Sequence, residues 1–346
     1  MTLPALLFSL IASAAIVVAA GTQLARSADA IAARTNLGGA WIGSVFLAVA
    51  TSLPEITTDV AAIRIGAPDL AAGDLFGSSM ANMLILAVVS LLPAGTELFR
   101  KATLDHLQYA ALAIILTAMA AVFVLVRPAT AFLGLGVGSL SLLAVYLVGS
   151  RAVFRATSVA RRAGITEEMS ARPGEPDHAR KRSLKLTEVR RPLMVFVGAA
   201  LVILASAPVF AHSAEGLAEL SGLGSTFMGT WLVGMSTSLP ELVTSLAAIR
   251  MRAYDLAVGN LFGSNAFNMV IFVVLDLAHG SGPFFSVVSP VHAISALVAI
   301  GLMSLGVAAL VVRAEGRLTL LEPSSALIVL GYVLGLALVL AQSAGG

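Results

Sequence analysis

Apolar residues run along this chain in long blocks separated by short polar punctuation, with no sustained alternation of the kind a strand would need. Ten blocks fall near 4–25, 37–63, 70–95, 104–126, 130–150, 192–212, 223–249, 256–278, 289–312 and 324–342. They lie close to or above the ~18–20 residues that cross a bilayer as a helix. The long polar stretch, Arg151 to Arg191, contains ARPGEPDHARKRS and reads as a loop with room for a short amphipathic helix. The pattern predicts an all-α polytopic membrane protein of ten transmembrane helices. Residues 1–150 hold five, 151–191 form a connecting loop, and 192–346 hold the other five. The start, MTLPALLFSLIASAAIVVAA, lacks a basic leader and reads as a first span rather than a cleaved signal.

Composition sharpens this reading. The 346 residues are 58% hydrophobic and 12% charged, about half the charge of an average soluble domain at roughly 25%. A water-soluble enzyme, a nucleic-acid reader and a disordered scaffold are excluded. The absence of cysteine removes disulfides, thiolate metal sites and cysteine nucleophiles. Nineteen of the 21 Lys and Arg fall on one side of the predicted spans, including eleven in the central loop. Arg64 and Arg127 are the two on the other side. The positive-inside rule then makes the central loop cytoplasmic and both termini extracellular, in a plasma membrane whose anionic headgroups the loop would touch.

The chain also repeats itself. Shifted by 186 residues, Ser27–Leu86 aligns with Ser213–Phe272 without a gap, and 28 of the 60 positions are identical. With five spans per half, the second half enters the membrane inverted relative to the first. Such inverted repeats mark secondary transporters whose substrate sits near the midplane, where the repeats meet.

The polar positions inside the repeat carry the chemistry. Glu55 and Glu241 occupy equivalent mid-span places in Thr-Ser-Leu-Pro-Glu, without a Lys or Arg nearby in sequence. A carboxylate at that depth costs at least ~2–3 kcal/mol unless it finds a partner, and two of them suggest a cation arriving from solution. Pro54 and Pro240 interrupt the helical ladder and free carbonyls four residues earlier, those of Ala50 and Ser236. Thr51, Ser52, Thr237 and Ser238 add hydroxyls, and mixed oxygen sets of this kind suit Ca²⁺. On the following spans, Asp74, Ser78 and Asn82 stack on one helix face, matched by Asn260, Ser264 and Asn268. Gly73, Gly77, Gly259 and Gly263 form small-residue edges that permit close backbone approach.

The paired motifs TSLPE…GDLFGSSMANM and TSLPELVTS…GNLFGSNAFNM resemble the two α-repeats of the sodium/calcium exchanger family, of the prokaryotic type, within the calcium:cation antiporter superfamily. The resemblance implies that Glu55 and Glu241 are the main carboxylate ligands shared by Ca²⁺ and Na⁺. It implies hydroxyl or carbonyl oxygens from Thr51, Ser52, Thr237 and Ser238, and backbone carbonyls from Ala48 and Gly234. Ser78, Asn82, Ser264 and Asn268 would complete the cluster. Alternating access would come from the first and sixth spans sliding across the other eight.

This chain departs from the pattern in three places. Asn268 stands where some relatives carry an acid, and Ala50 and Ser236 replace a common glycine before TSLPE. Asp59 and Asp74 are acidic where the second repeat has Ser245 and Asn260. Asp59, one turn beyond Glu55, reads as a solvated residue near a helix end. A role behind the ligands, as a proton acceptor, or in an entry funnel stays open for both aspartates. The expected function is Na⁺/Ca²⁺ antiport, the two cations competing for the same glutamates. The alternatives are a Ca²⁺/H⁺ antiporter on the same fold and, less favoured, a cation channel. The five histidines show no metal-ligand spacing and read as loop or interfacial groups. No organic cofactor, nucleic acid or required protein partner is expected; the ions and the bilayer are the expected partners.

Overall fold

The computed structural model describes residues 2–344 apart from 36–38, 94, 96, 104, 163–185, 221–232 and 313–322. The described chain is mostly helical. The long elements are α1 (Leu3–Arg34), the interrupted α2 (Gly39–Arg64), α3 (Pro68–Leu91), α4 (His106–Val126), α5 (Val137–Arg162) and α6 (Leu186–Leu220). Then come α7, described as Val233–Thr237 and Leu239–Arg250, α8 (Tyr254–His279), α9 (His292–Val312) and α10 (Pro323–Ala344). Eight helices among the described residues are long and apolar enough to cross a membrane: α1 to α6, α8 and α9. The expected seventh span begins at 223, and its first residues lie outside the described ones.

Several boundaries differ from expectation for local reasons. The fifth span does not begin at 130: residues Ala131–Phe132 and Leu135–Gly136 pair as a two-stranded antiparallel hairpin, and helix starts only at Val137. Asp276 at the end of α8 pins that hairpin, its carboxylate accepting the Gly136 N–H at 2.7 Å and the Phe284 N–H at 2.6 Å. Helix α5 runs on to Arg162 and α6 begins at Leu186, so both helices extend into the stretch read as a loop.

Burial is arranged inside out. Leu7, Phe8 and Ile11 on α1, Met194, Val197 and Leu201 on α6, and Leu330, Leu334 and Leu338 on α10 are exposed. Glu55, Asp59, Asp74, Asn82, Glu241 and Asn268 are buried. Apolar side chains facing outward around a polar centre suit hydrocarbon as solvent. Helix α3 is 78% buried along its apolar stretch and α8 is 67%, against 22% for α1; the first two are the centre and α1 is the rim.

Contacts between the halves are reciprocal. Helix α1 packs on α6; α1 also packs on α7 as α6 does on α2. Helix α8 packs on α4 and α5 as α3 does on α9 and α10. Helices α2 and α8 approach closely. Residues Ile42–Leu47 of α2 widen into a π-helical segment, and Gly43, Gly259 and Gly263 let the two backbones touch. A Cβ on Gly259 would sit 2.8 Å from Ala40 O.

A second reciprocal feature ties the helix ends. Asp255, in the first turn of α8, accepts the Thr103 N–H at 2.9 Å and lies 2.9 Å from His106 Nε2 at the start of α4. Asp69, in the first turn of α3, accepts the Ser289 N–H at 2.7 Å and lies 3.2 Å from His292 Nε2 at the start of α9. The two latches lie at opposite ends of α4, since Arg127 just beyond its C-terminus is beside Asp69 and donates to Ser286 O. His106 is fully buried whereas the Asp69 side chain is 55% exposed. Asp255→Asn is therefore expected to lower stability by about 1.5–3 kcal/mol, the range for hydrogen bonds to charged groups. Asp69→Asn should cost under about 1 kcal/mol, as exposed pairs do. Thermal unfolding of the two purified variants checks the order.

Candidate cation site

Glu55 and Glu241 each stand just after a helix break. Ser52 and Ser238 leave helical geometry, with ψ of 8° and 5°, and Leu53–Arg64 and Leu239–Arg250 then start as new helices. Pro54 and Pro240 fall in the first turn of these, where a missing N–H costs nothing. The prolines thus open a helix, with both glutamates in its first turn, where negative charge is favoured by the helix dipole. The Ala48 carbonyl accepts the Ser52 N–H at 3.0 Å, and the Gly234 carbonyl accepts the Ser238 N–H at 3.2 Å. Each carbonyl also accepts a threonine hydroxyl at 3.2 Å, Ala48 from Thr51 and Gly234 from Thr237, so both already carry two donors.

The hydroxyls and amides beside the breaks reach across to the opposite repeat. Thr51 Oγ1 lies 3.1 Å from Asn260 Oδ1 and 3.4 Å from Ser264 Oγ. Thr237 Oγ1 lies 3.1 Å from Asp74 Oδ1 and 3.3 Å from Ser78 Oγ. These are the same contacts with the repeats exchanged. The Ser52 and Ser264 hydroxyls donate to Glu241 Oε1 at 3.4 and 3.3 Å. Glu55 is 1% exposed and Glu241 is fully buried, and they interact electrostatically with each other. Among the described residues neither is paired with a Lys or Arg.

Several buried polar atoms on these elements are unmet. Glu55 Oε2, Glu241 Oε2, Ser238 Oγ and both amide atoms of Asn268 are buried with no hydrogen-bond partner. Orphaned buried oxygens of this number call for a ligand. Among the described residues no three of His, Asp and Glu converge as a preformed metal cage. The oxygens come mainly from hydroxyls and amides, a hard and mixed set that suits Ca²⁺ or Na⁺ better than a transition metal.

The structure therefore brings together Thr51, Ser52, Glu55, Ser78, Thr237, Ser238, Glu241 and Ser264. Asn82 is partly engaged elsewhere: its Nδ2 donates to Asn265 Oδ1 at 2.9 Å, and Asn265 donates to the Ser79 carbonyl at 3.3 Å. That bridge fastens α3 to α8, a role sequence reading had not assigned to Asn265. Asp59 is not a solvated helix-end residue; it is fully buried. It lies on the inward face because it follows Glu55 by four residues. The His–Asp latches were also missed, although the 186-residue shift extends to them. It pairs Phe99 with Phe285, Thr103 with Ser289 and His106 with His292, beyond the point where overall identity fades.

Comparisons with known proteins bear on the family and the fold. The model of the family described as "Sodium/calcium exchanger protein" matches residues 5–151 and 191–341. Inner membrane protein YrbG of Escherichia coli (strain K12) is 29% identical over 255 residues, covering 68% of this chain and 67% of that one. Sodium/calcium exchanger MaX1 of Methanosarcina acetivorans is 42% identical over 92 residues, which cover 27% of this chain and 24% of that one. In fold, the chain is similar to the solved sodium-calcium exchanger NCX_Mj, with a TM-score of 0.67 at 20% identity. That likeness covers 96% of this chain and 98% of the other.

Proposed function

The chain belongs to the sodium/calcium exchanger family, a family of transporters and not of enzymes, and from that premise we propose that it exchanges Na⁺ for Ca²⁺ by alternating access. One observation carries the reading. Two glutamates from equivalent places in the two repeats are buried without a basic partner among the described residues, and Glu241 takes hydroxyls from both repeats. Their combined charge of −2 balances one Ca²⁺. The same oxygens can instead hold Na⁺ ions of lower charge, so the two substrates exclude each other, and mutual exclusion at one site is what antiport requires.

The full architecture is ten spans in two inverted halves, with the central segment cytoplasmic and both termini outside, in the plasma membrane. Helices α1 and α6, packed on each other at the rim, are the pair that slides across the remaining helices to expose the site alternately. Gradient-driven Na⁺ entry then expels Ca²⁺. A proton-driven version of the same exchange is the second reading, favoured by the buried carboxyls of Asp59 and Asp74.

Ca²⁺ uptake into proteoliposomes decides between them. An outward Na⁺ gradient is expected to drive uptake, and an outward H⁺ gradient alone is not. Uptake with H⁺ alone would transfer the coupling to protons, and flux without any counter-ion would indicate a channel. At three Na⁺ per Ca²⁺, one net charge leaves the lumen per Ca²⁺ taken up, worth ~2.3 kcal/mol per 100 mV. Uptake should therefore quicken when the lumen is made positive.

A further inference from the structure

The Asn82 amide is held at one end and open at the other. Its Nδ2 donates to Asn265 Oδ1 at 2.9 Å, whereas its Oδ1 is buried with no partner among the described residues. Asn82 follows Ser78 by four residues on α3, so it shares the face that brings Ser78 Oγ to 3.3 Å from Thr237 Oγ1. An amide accepts through its oxygen and donates through its nitrogen, and a half-turn exchanges the two ends. Which end meets the site decides whether Asn82 offers a cation an oxygen or a repelling pair of N–H groups.

Asn265, on α8, settles that choice. Its Nδ2 donates to the Ser79 carbonyl at 3.3 Å, and a backbone carbonyl can only accept. Turned over, Asn265 would set its Oδ1 against that carbonyl. Its Oδ1 therefore points to Asn82, and Asn82 answers with Nδ2, which leaves the Asn82 oxygen for the site. The whole relay is buried, and its direction is set by an atom that cannot change roles. The second repeat is built differently. Shifted by 186 residues, Asn268 stands for Asn82 and Ser79 for Asn265. Ser79 donates its hydroxyl to the Leu75 carbonyl at 2.9 Å, and both amide atoms of Asn268 lack a partner among the described residues. We propose that Asn265 is a positioning residue for the cation site: by fixing which way the Asn82 amide faces, it holds an oxygen ready for the ion, a constraint that Asn268 lacks. The inference rests on reading the cluster around Glu55 and Glu241 as the Ca²⁺ site.

Ca²⁺ titration of the full-length protein in nanodiscs, with the unfolding temperature measured alongside, tests this. Asn265→Leu keeps the side-chain volume but removes both hydrogen bonds, so the Asn82 amide is free to turn. Its Ca²⁺ affinity should fall about tenfold or more, the worth of one hydrogen bond to a charged group. Asn265→Asp should stay within about threefold of wild type, because an aspartate at that place accepts from Asn82 whether ionised or protonated. Should Asn265→Leu fail to fold, Asn265→Ser, which installs the side chain of the first repeat, should give the same loss. In an Asn82→Leu background, where no amide remains to be aimed, Asn265→Leu and Asn265→Asp should bind Ca²⁺ alike. Wild-type affinity in Asn265→Leu, an equal loss in Asn265→Asp, or a difference that persists in the Asn82→Leu background overturns the proposal; a fall in unfolding temperature with unchanged affinity would leave Asn265 as a fastener of α3 to α8 alone. Wild-type Ca²⁺ affinity in Glu55→Gln/Glu241→Gln would overturn the reading of the glutamates, and the proposal with it. The two failures are distinguishable because that last result involves neither Asn82 nor Asn265.

Discussion

Glu55→Gln and Glu241→Gln are each expected to abolish Ca²⁺ uptake while leaving the protein folded and at least as heat-stable as the wild type. Among the described residues each glutamate is buried, unpaired by any base and has one oxygen without a donor, so replacing the charge with a neutral isostere relieves a desolvation cost. Ser52 and Ser264 can still donate to the amide oxygen at position 241, as they do to Glu241 Oε1 now. The loss falls on the ion. At an effective dielectric near 20, two unit charges about 4 Å apart attract by about 4 kcal/mol, and Ca²⁺ feels twice that from each carboxylate. With each 1.4 kcal/mol worth tenfold, even partial compensation leaves Ca²⁺ affinity lower by at least about a hundredfold. Wild-type uptake in both variants would place the transported ion elsewhere in the molecule.

Gly263→Ala should be strongly damaging for so small a substitution. The added Cβ would fall 2.3 Å from Ser44 O and 2.5 Å from Ser44 Cα. These are backbone atoms of the π-helical segment, with no side chain that could swing aside. Either α8 moves off α2 or the segment itself deforms, at the upper end of the ~1–3 kcal/mol typical of overpacking or beyond it. Because Ser264 is the next residue and faces Thr51 at 3.4 Å, the same displacement spreads the cation site. A lowered unfolding temperature together with weakened Ca²⁺ binding is the expected result. Gly198→Ala and Gly301→Ala are the controls, with nothing within 4 Å of the added carbon. They should gain up to about 1 kcal/mol of helix propensity. Equal unfolding temperatures for Gly263→Ala and Gly198→Ala would contradict the close contact.

Much of this was legible in the sequence because a membrane interior tolerates few polar residues, so those present speak loudly. Glu55, Glu241 and the Thr-Ser pairs stood out against apolar surroundings, and the structure gathers them. The burial of Asp59 was also in principle readable from its four-residue spacing to Glu55, but its place near a helix end argued for water. Which helix covers that face is a tertiary fact, and α3 covers it. The π-helical widening at Ile42–Leu47 leaves no trace in propensity, since it arises where α2 yields to the backbone of α8. Asn265 looked equivalent to nothing, because its counterpart Ser79 offers a carbonyl in place of a side chain.

The latches at Asp69 and Asp255 bear on how the protein comes to exist. Asp69 closes on Ser289 and His292, more than two hundred residues further along. At synthesis rates of about 5–20 residues per second, roughly 10–45 seconds pass before those partners leave the ribosome. Through that interval the first half sits in the bilayer with the start of α3 unfastened and its carboxylates facing no second repeat. The last helices to be made thus complete contacts of the first ones. The order of insertion makes early membrane residence a waiting state, in which quality-control proteases would meet a chain whose defects cannot yet be told from its incompleteness.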